Sequence, residues 1–343
     1  MKKLVSLFLT LSLAFCLGAC GIQRVQSGMP DRPEETTEKV TDEMWIKAYR
    51  QYVETAASED IGDEEGYDSI TYKCFGLYNL NGDEVPELLV SNGTYHAARL
   101  KIISYIDGQI IESEDIGSSG MIAFVEGENR IISNYSGMGA SEYHFYTLKN
   151  GQLVSGWYGY REIDITNDDA VTCYSYDEEV DEESYETLLE ENMPEIFTAN
   201  GDWSSVEYET QGRPMTTATE KNIALYFDAL LAGKDAQYVT QGRSVSLKGK
   251  AYTGMAYWDN DEEEYDVVEL NLEEPFLYCG DGIKKPCYSD FTVVDCVILD
   301  VDDTGDYSGE EMSVRGKVSY SDEFARAFLK DTNIILTDEA EEE

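Results

Sequence analysis

The sequence has little positive charge. Lysine and arginine number 25 against 69 aspartates and glutamates, which leaves a formal net charge of −44 over 343 residues. Such a field repels phosphate backbones and anionic lipid, so we expect no nucleic-acid partner. Hydrophobic residues make up 42% and aromatic residues 12%, which is too many for a disordered acidic chain and predicts a packed core.

Catalytic signatures are also scarce. The sequence contains no GxSxG, HExxH, SxxK, Walker or CxxC motif, and its only histidines are His96 and His144. A histidine in strand-like aromatic surroundings is more often structural than catalytic, so we expect no enzyme. A hydrolase that uses two carboxylates is the less favoured alternative, because such a pair cannot be recognised by spacing among 69 acidic residues.

The N-terminus has the features of an export signal. Lys2 and Lys3 precede an apolar run, Leu4–Phe15, that is too short to span a bilayer. Residues 17–20 read Leu-Gly-Ala-Cys, which resembles a bacterial lipobox. The resemblance implies that residues 1–19 are removed and that Cys20 is acylated, so the protein is anchored to the cell membrane on its extracytoplasmic side. An ordinary secretory signal is the alternative.

Residues 20–40 are polar, contain Pro30 and Pro33, and show no apolar period. We interpret them as a flexible tether with a reach of about 25 Å.

The first folded region is predicted over residues 41–212. Thr41 is a candidate N-cap for an amphipathic helix, and two hairpin turns, Asp107-Gly108 and Asn150-Gly151, lie between apolar runs. A second helix is expected near 185–191. The two hairpins repeat at an offset of 43 residues, too few copies for a propeller, so an antiparallel meander is expected. The helix stripe comprises Met44, Trp45, Ala48, Tyr49, Tyr52, Val53 and Ala56.

A candidate calcium loop lies in this region. Oxygen-bearing side chains recur at alternate positions, and one backbone carbonyl completes the set: Asn79, Asn81, Asp83, Val85 and Glu87. The segment resembles the loop of FG-GAP and VCBS repeats, which implies calcium. It departs from that pattern at Asn79, where Asp is usual, and at Glu84, where Gly is usual. A metal-free turn at Asn81-Gly82 is the alternative.

One aromatic cluster could bind a ligand. Trp157, Tyr158 and Tyr160 lie close together in Gly-Trp-Tyr-Gly-Tyr. If they are exposed, they form a stacking platform for a sugar; if they are buried, they belong to the core, which is the favoured interpretation.

The second region is predicted over residues 213–337, with an acidic tail at 338–343. A linker helix over 217–233, with its capping box starting at Thr217, precedes five strands that suit a small barrel. Residues 246–250 and 314–318 resemble paired strands of OB-type extracytoplasmic domains. A disulfide between Cys279 and Cys287 is predicted because the intervening segment is rich in Gly and Pro.

The predicted fold class is therefore mainly β with a few helices: an antiparallel meander domain followed by a small barrel. The predicted function is an envelope lipoprotein that binds or scaffolds, with a glycan or an envelope protein as its partner. The alternative is a calcium-stiffened structural spacer.

Overall fold

The computed structural model describes residues 42–58, 73–92, 100–116, 121–137, 139–164, 170–193, 215–258, 264–279, 288, 291–300, 305–326 and 331–338. The predicted signal, Cys20, the tether, His96, Cys287 and residues 339–343 lie outside these ranges. Within them, the helices all fall short of the length and apolar character that a membrane crossing requires.

The first layer is a five-stranded sheet, here called sheet 1, with one face covered by helices. Its strand order is β11-β1-β2-β3-β4 and every pairing is antiparallel. β11 follows all the strands of the second sheet in the sequence but pairs with β1, with Cys74 opposite Thr217. The elements are α1 (Asp42–Ser58), β1 (Cys74–Tyr78), β2 (Glu87–Ser91), β3 (Leu100–Ile106), β4 (Gln109–Glu112), β11 (Thr216–Thr217) and α3 (Glu220–Ala232).

The second layer, sheet 2, is a six-stranded antiparallel meander in chain order, β5 to β10. One face packs on α2, whose N-cap Asp181 accepts a hydrogen bond from the Ser184 amide. The elements are β5 (Met121–Val125), β6 (Arg130–Gly137), β7 (Ala140–Lys149), β8 (Gln152–Asp164), β9 (Ala170–Ser175), β10 (Glu178–Val180) and α2 (Glu182–Asn192).

The C-terminal part is a closed five-stranded barrel of order β12-β13-β14-β16-β15. β14 and β16 run parallel, with Ile298 opposite Ile335. β12 closes on β15, with Ser244 opposite Lys317 and Ala251 opposite Glu310. The strands are β12 (Ser244–Trp258), β13 (Glu264–Cys279), β14 (Phe291–Asp300), β15 (Ser308–Arg326) and β16 (Asp331–Asp338).

These observations confirm the predicted fold class, a mainly β protein with a meander and a small barrel. Each of the five strands predicted in the second region is present, and each is longer than predicted. The helix cap differs: Thr219, not Thr217, caps α3 through its side chain. Thr217 is engaged in sheet 1 with Cys74, so the helix starts later than its capping pattern suggested.

Apolar clusters connect the layers. The largest joins α1, one face of sheet 1 and α3, and it continues to Leu277 and Val293 of the barrel. A second cluster fills the contact between the other face of sheet 1 and sheet 2, including Tyr78, Phe124 and Leu148. The barrel has its own interior. The described residues accordingly belong to one compact unit.

Two turns fasten sheet 1 to sheet 2. The β5–β6 turn donates the Gly127 amide to the Asn79 carbonyl (2.7 Å) and the Asn129 amide to the Leu80 carbonyl (2.8 Å). At the other contact, the tip of the β7–β8 hairpin packs on β3 and β4, and Gln152 Nε2 donates to the Glu112 carbonyl (2.8 Å).

Candidate functional site

The aromatic residues of β7, β8 and β9 divide between the two faces of sheet 2. Successive strand residues point to opposite faces. Trp157 therefore points away from Tyr158 and Tyr160, and it is buried at 5% exposure. The structure thus does not bring the three predicted platform residues together: Tyr158 and Tyr160 share one face, and Trp157 lies on the other.

Trp157 belongs to the core beneath α2. Its ring contacts Phe145 at 5.7 Å and Tyr185 at 5.7 Å between centroids. Its indole nitrogen donates to Ser175 Oγ (3.0 Å), so its polar atom is satisfied inside the protein. These contacts identify Trp157 as a packing residue.

The opposite face carries a row of partly exposed rings, here called the tyrosine strip: His144, Tyr146, Tyr158, Tyr160 and Tyr174. His144 contacts Tyr146 at 4.0 Å and Tyr158 at 5.4 Å, and Tyr160 contacts Tyr174 at 6.0 Å. Strand register explains the row, since His144 lies opposite Tyr158 and Tyr160 lies opposite Tyr174.

A hydrogen-bond chain holds the centre of the strip. The Tyr146 hydroxyl meets His144 Nδ1 at 2.6 Å, and His144 Nε2 meets Ser155 Oγ at 2.8 Å. Ser155 in turn donates to the Gly156 carbonyl at 3.4 Å. Every polar atom in this set has a partner when the Tyr146 hydroxyl donates to His144 Nδ1 and His144 Nε2–H donates to Ser155 Oγ. These two hydrogen bonds fix the orientations of both rings.

The Ser155–His144 distance would suit a nucleophile and its base. However, the group on Nδ1 is a neutral phenol, which cannot stabilise an imidazolium as the carboxylate of a catalytic triad does. The arrangement therefore favours positioning of the rings over catalysis.

Carboxylates surround the strip. Burial lowers the pKa of His144 more than the Glu114 carboxylate raises it, so the imidazole is neutral at pH 7. Burial, followed by the charges of Glu114 and Glu142, raises the pKa of Tyr146 to about 12. The pKa of Tyr158 is raised by burial and then by Glu142, and that of Tyr160 by burial and then by Glu162.

The candidate calcium loop lies between β1 and β2. Its side-chain oxygens accept hydrogen bonds from the loop's own backbone: Asn79 Oδ1 from the Gly82 amide, Asn81 Oδ1 from the Asp83 amide, and Asp83 Oδ1 from the Val85 amide, at 2.7–2.8 Å. Three successive side-chain caps of this kind shape the loop as consecutive Asx turns.

Glu87 is the buried member of the loop, at 2% exposure. Its Oε2 accepts from the Leu80 amide (2.9 Å), and its Oε1 accepts from Asn81 Nδ2 (2.7 Å). Burial outweighs these bonds and raises the pKa of Glu87 to about 8. The site therefore contains a carboxyl group that prefers to be neutral or to meet a positive charge.

The loop's fit to calcium depends on Asn81. Its amide nitrogen lies 2.8 Å from Asp83 Oδ2 and 2.7 Å from Glu87 Oε1, so it occupies the place between the two carboxylates that a cation would take. The Asp83 amide donates to Asn81 Oδ1 at 2.8 Å and fixes this orientation of the amide. Calcium binding would therefore require that hydrogen bond to break, so that Asn81 Oδ1 could join the two carboxylates as a hard donor. Across the described ranges, no group of three or more His, Cys, Asp or Glu side chains is arranged to hold a metal.

Comparison with known proteins returned nothing. No family model, curated protein or solved structure is significantly similar to the chain.

Of the remaining predicted residues, Cys279 is buried at the end of β13. Its predicted partner Cys287 and the predicted lipidation site Cys20 lie outside the described residues. Those two predictions stand as made.

Sequence reasoning missed His144, Tyr146 and Tyr174 as members of the site. The sequence did carry one signal: the residues of a strand alternate between the two faces, and the two-residue turn Asn150-Gly151 fixes which residues of the two flanking strands lie opposite each other. A bulge between His144 and Tyr146 alters that register, and it could not be read from the sequence.

Proposed function

We propose that the protein is an extracytoplasmic lipoprotein, anchored through Cys20, that acts by binding a glycan or a protein partner at the cell envelope. The tyrosine strip is the observation that carries this proposal. It places partly exposed rings side by side on one sheet face, and a hydrogen-bond chain fixes two of them in advance of binding. Pre-fixed aromatic surfaces of this kind lose little entropy when a ligand stacks on them.

The barrel supports the same class of function. Its strand order, with β14 and β16 parallel, agrees with the OB-like domain expected from the sequence. Barrels of that type commonly serve as binding modules.

Site-specific photo-crosslinking in the producing cell tests the binding role. A benzoylphenylalanine is introduced at Tyr160, on the strip, and separately at Val154, which is 44% exposed on the opposite face of sheet 2. Adducts are expected from position 160 and not from position 154. Equal yields, or no adduct from either position, would contradict the proposal.

The anchor has its own test. Cys20→Ser should abolish incorporation of labelled palmitate and move the protein from the membrane fraction into the soluble fraction. Retention of both label and membrane association in that variant would contradict the anchoring proposal.

A calcium-stiffened spacer is the second candidate, and the buried Glu87 favours it because a divalent cation would compensate that carboxylate. Calcium at a hundred times its dissociation constant would add about 2.7 kcal/mol. We expect millimolar calcium to raise Tm relative to EDTA, Asp83→Ala to abolish the rise, and Glu84→Ala, an exposed neighbour, to preserve it. An unchanged Tm in the wild type rules this candidate out.

A further inference from the structure

We propose that the tyrosine strip binds the lysine and arginine side chains of an extended basic segment in a partner protein. This inference rests on the proposed binding function and narrows it to one class of partner. The inference is based on one observation: the row of aromatic rings has carboxylates beside it.

Charge complementarity is the first argument. Carboxylates act on four rings of the strip: Glu114 on His144, Glu142 on Tyr146 and Tyr158, and Glu162 on Tyr160. Asp177 adds to the field at Tyr158. Phenol rings carry a negative face that attracts cations, and nearby carboxylates strengthen that attraction.

The arginine nearest to the strip in sequence is engaged elsewhere. Arg161 separates Tyr160 from Glu162 in β8, yet its guanidinium bonds to Glu182 (2.7 Å) and Glu186 (3.3 Å) of α2, on the opposite face. The strip thus presents rings and carboxylates while the arginine between them is held by the helix. An anionic partner would meet uncompensated repulsion there.

The dimensions of the strip suit an extended chain. Neighbouring strands lie about 4.8 Å apart, so the row across β7, β8 and β9 is about 10 Å long. In an extended peptide, side chains on one face recur about every 6.8 Å. The two ring pairs, His144–Tyr158 and Tyr160–Tyr174, are connected through Tyr158 and Tyr160, which are two residues apart in β8 and therefore have the same spacing of about 6.8 Å. Two cationic side chains at positions i and i+2 therefore match the two pairs.

The whole chain reinforces this preference. A net charge of −44 attracts a basic segment over long distances and accelerates its encounter with the surface. That field acts at every site, so a decisive experiment must separate the strip from the overall charge.

The probe is an acetylated peptide of alternating arginine and serine, titrated into the full chain in nonionic detergent and followed by calorimetry. Tyr158→Ser with Tyr160→Ser keeps the net charge constant and is expected to weaken binding about tenfold. The same two-residue change on the opposite face, Val154→Ser with Val171→Ser, should leave the affinity unchanged. Circular dichroism verifies that both double variants are folded.

Matched charge variants complete the design. Glu142→Gln removes a negative charge beside the strip, whereas Glu191→Gln removes the same charge from the exposed side of α2. We expect about a fivefold loss of affinity for the first and almost none for the second. Equal losses would mean that the peptide follows the overall field, and they would overturn the proposal. A peptide with citrulline in place of arginine should not bind.

His144 reports directly on the sign of the bound charge. In a His96→Gln background it is the single histidine, so its NMR titration can be followed alone. A bound cationic peptide should lower the pKa of His144 further. A chitin-type oligosaccharide that binds to the strip while the peptide does not would overturn this inference and leave the binding function intact. If neither ligand perturbs His144 and position 160 yields no crosslink, both fail.

Discussion

At the scale of single residues, Glu87 determines the chemistry of the β1–β2 loop. It is a carboxyl group at 2% exposure with two hydrogen-bond donors, and its pKa is raised to about 8. Between the model value of 4.5 and that value, the unfolded chain releases the proton while the folded chain keeps it. The free energy of unfolding therefore falls as pH rises through this window and is highest below it.

Glu87→Gln tests this directly. The wild type should lose on the order of 4 kcal/mol more than the variant between pH 4.5 and pH 8, because each pKa unit corresponds to about 1.4 kcal/mol. Urea unfolding at several pH values measures the difference. Glu84→Gln, in the exposed part of the same loop, should retain the wild-type pH dependence; a parallel pH dependence in all three proteins would refute the assignment.

At the scale of elements, the two hairpin turns share one conformation and differ in their surroundings. Asp107 and Gly108 have φ of 50° and 81°, and Asn150 and Gly151 have φ of 50° and 73°, as a type I′ turn requires. A Cβ on Gly108 would find its nearest neighbour, the Tyr105 hydroxyl, at 3.9 Å. A Cβ on Gly151 would lie 2.8 Å from Ile111 Cγ2 and 3.2 Å from Ser104 Cβ.

Replacing each of these glycines with alanine separates the energetic cost of backbone strain from that of packing. Gly108→Ala should cost about 1–2 kcal/mol for the left-handed backbone alone. Gly151→Ala should cost about 1–3 kcal/mol more, because the added methyl group also forces sheet 2 away from β3 and β4. Thermal unfolding of both variants measures the two costs, and similar values would show that the tip of the second hairpin does not hold the sheets together.

Local patterns predicted these elements well. The apolar period of α1, the two hairpin turns and the five barrel strands all follow from residues that are neighbours in sequence. The face on which each tyrosine lies does not, because the bulge between His144 and Tyr146 shifts the register of β7 against β8. Nothing in the sequence indicated the contact between the β1–β2 loop, which contains the buried Glu87, and a turn at 126–129 of the other sheet.

At the scale of the whole molecule, the excess of negative charge opposes folding. A net charge of −44 compressed into a compact chain repels itself, and salt screens that repulsion over a Debye length that falls from about 30 Å at 0.01 M to about 8 Å at 0.15 M. The ion pairs of the described residues, such as Arg50 with Asp228 between α1 and α3, each have at least one partly exposed partner and contribute little.

We therefore expect Tm to rise by roughly 3 °C or more between 0.01 and 0.3 M NaCl, as repulsion is screened. Potassium chloride should produce the same rise, because screening depends on ionic strength and not on the cation. A Tm that falls with salt would indicate that attractive pairs outweigh repulsion in the folded state. Differential scanning calorimetry in both salts distinguishes the two cases.

The late position of β11 has a consequence for synthesis. Sheet 1 and the core beneath α1 require Thr216–Thr217 and α3, which the ribosome supplies only after all of sheet 2. The first helix therefore cannot complete its packing while residues 59–215, almost half of the chain, are made. Closing so large a loop is slow, and a nascent chain truncated before residue 216 should remain open to proteases at α1.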